Sequence, residues 1–75
     1  MNTTDTTANA QKASEPPPSL VHEVKRLKQT FPYRICWGAW NPANPSDDYR
    51  GADYDRRKLN AKLRQGWQAF IINAA

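Results

Sequence analysis

The chain has 75 residues, a formal net charge of +4, one cysteine and one histidine. One cysteine excludes a disulfide within the chain, and together with one histidine it cannot supply the ligands of a structural zinc site, so no metal or cofactor is expected. The length fits a single domain, and the lack of an apolar run of about 18 residues or of a hydrophobic leader predicts no membrane span and no secretory signal, which makes the cytoplasm the expected compartment.

The first 18 residues differ in composition from the rest. They are mostly Thr, Ala, Asn, Ser and Pro, and they contain almost nothing apolar to bury. Such a segment is expected to be disordered, and its final Glu-Pro-Pro-Pro favours an extended polyproline II conformation. We therefore predict a disordered tail over residues 1–18 and a small binding domain over residues 19–75. The tail either keeps the domain soluble or adds a second contact to the same partner.

A first helix is predicted near residues 20–30. Its apolar stripe consists of Leu20, Val21, Val24 and Leu27. Ser19 is the expected N-cap, and Pro32 prevents the helix from continuing. His22 lies off the stripe, so it is interpreted as an exposed helical residue rather than a base or a ligand.

The pattern changes to period two at Tyr33. Tyr33, Ile35 and Trp37 alternate with Arg34 and Cys36, which predicts a strand with the three large apolar side chains on one face. Cys36 is expected to be a small buried residue, because no histidine or helix start accompanies it to activate the thiol.

Residues 38–51 are predicted to form a long connection. The dipeptides Asn41-Pro42 and Asn44-Pro45 favour turns and do not fit a regular strand ladder. A connection of more than about 12 residues in so small a domain is usually functional or mobile. Since Trp40 and Tyr49 bracket it with two large rings, we interpret it as a recognition loop.

A second helix is predicted from Asp53 to Gln65, with Gly66 as its stop signal. Leu59 and Leu63 mark its inner edge. Residues 67–72 are apolar and rich in strand formers, and are expected to pair with the first strand, in an antiparallel direction. The predicted fold is a small α+β domain in the order helix, strand, long loop, helix, strand, with a two-stranded sheet covered by the helices.

Aromatic and basic residues dominate the predicted domain. All eight aromatic residues lie between Phe31 and Phe70, and residues 56–64 carry five positive charges. A cationic, aromatic-rich surface favours binding to an acidic protein or to phosphate groups. From charge and ring placement alone, the candidate partner-binding residues are Arg34, Trp40, Tyr49, Arg56, Arg57, Lys58, Lys62 and Arg64.

Several function classes follow from this composition. One is a regulator that docks on a large protein assembly, and another is a small basic nucleic-acid-binding protein that uses phosphate contacts and stacking. A solvated helix face that only aids solubility and a structural subunit of a phage or ribosomal particle are further alternatives. An enzyme is not expected, because Cys36 and His22 lie on different predicted elements with nothing to orient them.

The Thr- and Pro-rich leader, the segment Phe31-Pro32-Tyr33-Arg34-Ile35-Cys36-Trp37 and the basic helix of residues 55–65 resemble the small transcription regulators of lytic Xanthomonas phages. The resemblance is one of size and character over the whole chain. It implies a protein in the host cytoplasm that binds the β′ amino-terminal region and the β flap of bacterial RNA polymerase, near the RNA exit channel. It further implies that binding inhibits initiation by displacing the sigma factor and permits antitermination. Separately, we expect the protein to be a monomer.

Overall fold

Strand β1 (Cys36–Asn41) is the centre of a three-stranded antiparallel sheet in the computed structural model, which describes residues 15–73. The other elements are helix α1 (Pro18–Thr30), strand β2 (Asn44–Ala52), a 3₁₀ turn (Asp53–Asp55), helix α2 (Arg56–Arg64) and strand β3 (Gln68–Ile72). The α+β class and the antiparallel pairing of β1 with β3 are confirmed. The sheet has one more strand than predicted. The predicted disorder of the tail falls mostly on residues 1–14, which lie outside the described residues.

The predicted recognition loop is wrong, because residues 38–51 form most of a β-hairpin. Strand β1 continues to Asn41, and β2 returns antiparallel beside it with a register shift next to Trp40. The turn between them is closed by Asn41, whose side-chain Oδ1 accepts a hydrogen bond of 3.0 Å from the Ala43 N–H. Pro45 fits within β2 because β2 is an edge strand, where a missing N–H need not break the ladder.

The segment before β1 also differs from the prediction. Tyr33 does not lie in a strand; its side chain is 92% exposed at a turn where the Arg34 N–H donates to the Phe31 carbonyl at 3.1 Å. Lys28 stabilises this turn, since its Nζ donates to the carbonyls of Pro32 and Arg34 at 2.9 and 2.8 Å. Alternation in the sequence could not distinguish this turn from the start of the strand.

Side chains of β1 alternate between two apolar clusters, one on each face of the sheet. Cys36 and Trp40 pack with α1, whereas Trp37 and Ala39 pack with α2. The α1 cluster is completed by Leu20, Val24, Ala52 and the partly buried Leu27, Phe31, Phe70 and Ile72. The α2 cluster is completed by Leu59 and the partly buried Tyr49, Trp67 and Ala69. The central strand is therefore covered on both faces, as the predicted helices required.

Both helices lie close to the predicted ranges, but their ends differ in detail. Helix α1 begins at Pro18 rather than after Ser19, and the Val21 N–H bonds to the Pro17 carbonyl at 3.1 Å. A proline suits the first turn because it has no N–H to leave unpaired. Helix α2 ends as predicted before Gly66, which has φ +91°. Of its two predicted inner leucines, Leu59 is buried and Leu63 is 45% exposed.

Gly38 is required by the packing of α1 on the sheet. A Cβ at this position would lie 2.8 Å from Val24 Cγ2 and 2.9 Å from Phe70 Cε1. We expect Gly38→Ala to lower the free energy of unfolding by about 1–3 kcal/mol, because both neighbours are held in the core. Urea denaturation followed by tryptophan fluorescence measures this. Gly66→Ala is the comparison: nothing lies within 4 Å there, so only its backbone strain is added. An unchanged stability of Gly38→Ala would contradict the described packing.

Candidate protein-interaction surface

Two groups of mostly exposed side chains lie on α2 and beside its start. We call the first the basic helix face; its members are Arg56, Arg57, Lys58, Lys62 and Arg64. We call the second the tyrosine patch; its members are Phe31, Pro32, Tyr33, Arg34 and Tyr54. The patch comes from the turn before β1 and from the 3₁₀ turn before α2, and the Asp53 N–H to Ile35 carbonyl hydrogen bond of 2.9 Å joins these two segments.

Tyr49 connects the basic helix face to the core. Its ring stacks on the fully buried Trp37, with ring centroids 5.8 Å apart and an interplanar angle of 26°. Its hydroxyl accepts a hydrogen bond of 2.9 Å from Lys58 Nζ. Lys62 Nζ lies 5.7 Å from the Tyr49 ring centroid and 4.3 Å from that of Trp67. The two lysines are thus held over aromatic faces, where the ring quadrupole attracts a cation.

The hydrogen bond from Lys58 to Tyr49 raises the pKa of the Lys58 ammonium, and the nearby Asp55 carboxylate acts in the same direction. The hydrogen bond stabilises the charged form, so Lys58 stays a cation across the neutral range. The basic helix face therefore keeps this charge wherever the domain is folded at ordinary pH.

The three arginines of the basic helix face are placed differently from the lysines. Arg56, Arg57 and Arg64 are exposed, and within residues 15–73 their side chains make no hydrogen bond, ion pair or ring contact. Guanidinium groups present five donors in a planar fork that matches carboxylates and phosphates. These arginines are therefore available to an external acidic group.

The tyrosine patch is held in place by Arg34. Its Nη1 lies 3.1 Å from Asp53 Oδ1, and its guanidinium carbon lies 5.1 Å from the Tyr54 ring centroid. Phe31 packs edge-on against the same ring, at 5.9 Å between centroids. Tyr54 remains 57% exposed. An adjoining surface pocket of about 430 Å³ is lined by Thr30, Phe31, Pro32, Tyr33, Arg34 and Asp53.

The structure changes the list of candidate anchors. Trp40 is 1% exposed and packs with α1, so it does not lie on the surface where the predicted loop would have placed it. Tyr49 is half-buried rather than at a loop edge. Sequence reasoning missed Tyr33 and Tyr54 as surface residues. The available signal was Pro32, since a helix that stops at a proline is commonly followed by a turn, which would have placed Tyr33 outside the strand.

A group of acidic side chains lies around Arg50 on the surface. Arg50 pairs with Glu23 of α1, and Asp47 and Asp48 precede it on β2. Partial burial, followed by the neighbouring Glu23 carboxylate, raises the pKa of Asp48, although Arg50 opposes the shift. The surface of the molecule therefore carries both signs of charge.

Cys36 and His22 do not form a reactive pair in this arrangement. Cys36 is fully buried in β1, as predicted, and burial raises the pKa of its thiol, which disfavours the nucleophilic thiolate. His22 is exposed on α1, again as predicted. Over residues 15–73 no three His, Cys, Asp or Glu side chains are grouped to hold a metal ion. In the same range, neither helix has the length and apolar character needed to cross a bilayer.

Comparisons of this chain with protein-family models, curated proteins and solved structures found no match.

The Tyr49 hydroxyl has a measurable effect on its lysine partner. In Tyr49→Phe we expect the pKa of Lys58 to fall back toward the ordinary lysine value, because the hydrogen bond is the main cause of its increase. The ring still stacks on Trp37, so the melting temperature should stay close to that of the wild type. NMR titration of the lysine side chains measures the pKa, with Lys25 as an exposed internal control. An unchanged Lys58 titration would show that the hydrogen bond does not form.

Asp48 should make stability depend on pH. Its pKa is raised in the folded state, so folding favours the protonated form and the ionised carboxylate is destabilising near neutral pH. We expect Asp48→Asn to be more stable than the wild type at pH values near 7. The difference should shrink as the pH falls through the folded-state pKa of Asp48, because both side chains are then neutral. Urea denaturation at several pH values measures this, and a constant difference would contradict the assigned shift.

Proposed function

We propose that this protein is a non-catalytic regulator that docks on a large protein assembly through the tyrosine patch and the basic helix face. The observation that carries the proposal is the 92% exposure of Tyr33 next to Arg34, whose guanidinium group lies over the Tyr54 ring. Tyrosine and arginine are enriched at the hot spots of protein interfaces, where a few side chains supply most of the binding energy.

The order within the patch supports binding rather than simple exposure. Arg34 is fixed between Asp53 and the Tyr54 ring, so less side-chain freedom is lost when a partner covers it. An exposed ion pair of this kind contributes about 1 kcal/mol or less to folding. Its geometry is therefore better explained as preparation of a contact surface than as a source of stability.

The basic helix face supplies the second element of the proposal. Its three exposed arginines would attract an acidic partner and accelerate association, while the tyrosine patch would hold the complex once formed. The acidic side chains of Asp47 and Asp48 on β2 allow discrimination, because a wrongly oriented acidic surface would be repelled there.

The partner that we propose is bacterial RNA polymerase, approached at the β′ amino-terminal region and the β flap near the RNA exit channel. In this proposal, binding inhibits initiation by displacing the sigma factor and permits antitermination, in the cytoplasm of the host cell. The choice of polymerase rests on the resemblance to small phage transcription regulators, carried by the Thr- and Pro-rich leader, residues 31–37 and the basic helix.

A nucleic-acid-binding protein is the second candidate, favoured by the free arginines of α2 and by the exposed ring of Tyr33. Two observations favour it less. The rings of Tyr49 and Trp67 already contact lysines and are half-buried, which leaves little of them for base stacking. Asp53 and Asp55 also place negative charge at the start of the basic helix.

Charge reversal tests the basic helix face. We expect Arg57→Glu/Arg64→Glu to weaken capture of purified RNA polymerase by about tenfold or more, mainly through a slower association rate. The matched control is Lys25→Glu/Arg26→Glu, which changes the net charge equally on exposed positions of α1. Biolayer interferometry at low and physiological salt measures both rates. If the two double variants weaken capture of polymerase equally, only the net charge of the protein matters. That result would contradict the specific role proposed for α2.

Two further measurements test the proposal. The first distinguishes the contribution of the tyrosine patch from that of the basic helix face, and the second distinguishes a protein partner from a nucleic acid. Tyr33→Ala should leave the fold intact and raise the dissociation rate from polymerase, because this ring contributes contact rather than charge.

Titration with random duplex and single-stranded DNA over a range of salt concentrations should give weak binding. A steep salt dependence with tight binding to DNA, and no binding to polymerase, would favour the nucleic-acid-binding candidate instead.

A further inference from the structure

Strand β3 is an edge of the sheet formed by residues 15–73. In that part of the chain it pairs only with β1, and its five residues are Gln68, Ala69, Phe70, Ile71 and Ile72. None of them is charged and none is proline. Ile71 is 46% exposed, although its neighbour across the ladder, Trp37, is fully buried. A neutral, apolar edge strand is a ready template for pairing with another strand.

The direction of the free backbone groups on β3 follows from the ladder. The Asp53 N–H bonds to the Ile35 carbonyl, so odd-numbered residues of β1 direct their N–H and C=O groups to β2, and even-numbered residues direct theirs to β3. Phe70 lies opposite Gly38, so its groups face β1. The N–H and C=O groups of Ala69 and Ile71 therefore point outward from the sheet.

The other edge of the sheet is protected against pairing. Strand β2 contains Pro45, and the outward backbone groups near its middle belong to the charged residues Asp48 and Arg50. Charges and proline are the usual means by which natural sheets block edge pairing. Strand β3 has neither charged residues nor proline. Only the β2 edge of this sheet is therefore protected against pairing.

We propose that β3 pairs with β3 of a second copy of this chain, antiparallel and centred on Phe70, so that two sheets join into one of six strands. In this register the Ala69 and Ile71 groups of one copy bond to those of Ile71 and Ala69 of the other. The absence of charge on β3 favours a second copy as the partner, because two identical strands place no like charges opposite one another. We call the line where the two β3 strands meet the seam. In the dimer, the exposed Ile71 side chain of each copy lies opposite Ala69 of the other copy and is covered by it.

This dimer does not depend on the proposed polymerase partner. We expect a monomer from the sequence, in which the edge position of β3 is not visible. A two-fold axis perpendicular to the sheet places both α2 helices on the same face. Their basic residues repel each other across the seam, so the dimer should strengthen as salt is added.

Sedimentation equilibrium of the full chain in about 0.5 M salt tests the proposal. The weight-average mass should rise from 8.6 kDa toward twice that value as concentration increases. Ile71→Lys, which places like charges at the seam, should weaken association at least about tenfold. Gln65→Lys adds the same charge beyond the seam and should leave association unchanged. A constant mass of 8.6 kDa, or equal association of both variants, would overturn the dimer.

Amide hydrogen exchange of the wild type gives an answer that does not depend on any variant folding. Exchange at Ala69 and Ile71 should slow as protein concentration rises, because their N–H groups become bonded across the seam. Exchange at Phe70 should change less, since its N–H already bonds within the sheet. Exchange rates at Ala69 and Ile71 that do not vary with concentration would overturn the proposed seam.

Discussion

Burial of strand β1 on both faces is the constraint on which the rest of the molecule depends. Trp37 and Trp40 lie on opposite faces of this strand, and both are almost completely excluded from solvent. Trp37 is also fixed by a hydrogen bond of 2.8 Å from its Nε1 to the Ala52 carbonyl. Truncation of a buried tryptophan typically costs about 3–5 kcal/mol, a large share of the stability of a small domain. Each tryptophan therefore keeps one helix on the sheet.

The same constraint positions the candidate surface. Tyr49 stacks on Trp37 and accepts a hydrogen bond from Lys58, so the core and the basic helix face are joined through two consecutive contacts. Within the 3₁₀ turn, Asp53 holds Arg34 against Tyr54. The exposed rings and charges are thus attached to rigid elements, which is what a small binding domain needs to achieve specificity without a large interface.

Much of the fold could be predicted from the sequence, because helix periodicity, Pro32 and Gly66 are local signals. The additional strand β2 could not be predicted, since the Asn-Pro dipeptides of residues 41–45 indicate a turn whether or not strands flank it. The edge position of a strand is a property of the whole sheet and is not visible locally. Of the site, the charges of α2 were visible as a run of basic residues. The burial of Trp40 was not, because it depends on where β1 ends, and the exposure of Tyr33 was indicated only indirectly, by Pro32.

Hydrogen–deuterium exchange of this protein bound to bacterial RNA polymerase tests the central claim most directly, since it reports which backbone segments the partner covers. If the tyrosine patch and the basic helix face form the interface, protection should appear at residues 31–34 and 53–64 and be absent from the hairpin turn around Ala43. Protection confined to other segments, or no protection in the presence of saturating polymerase, would contradict it.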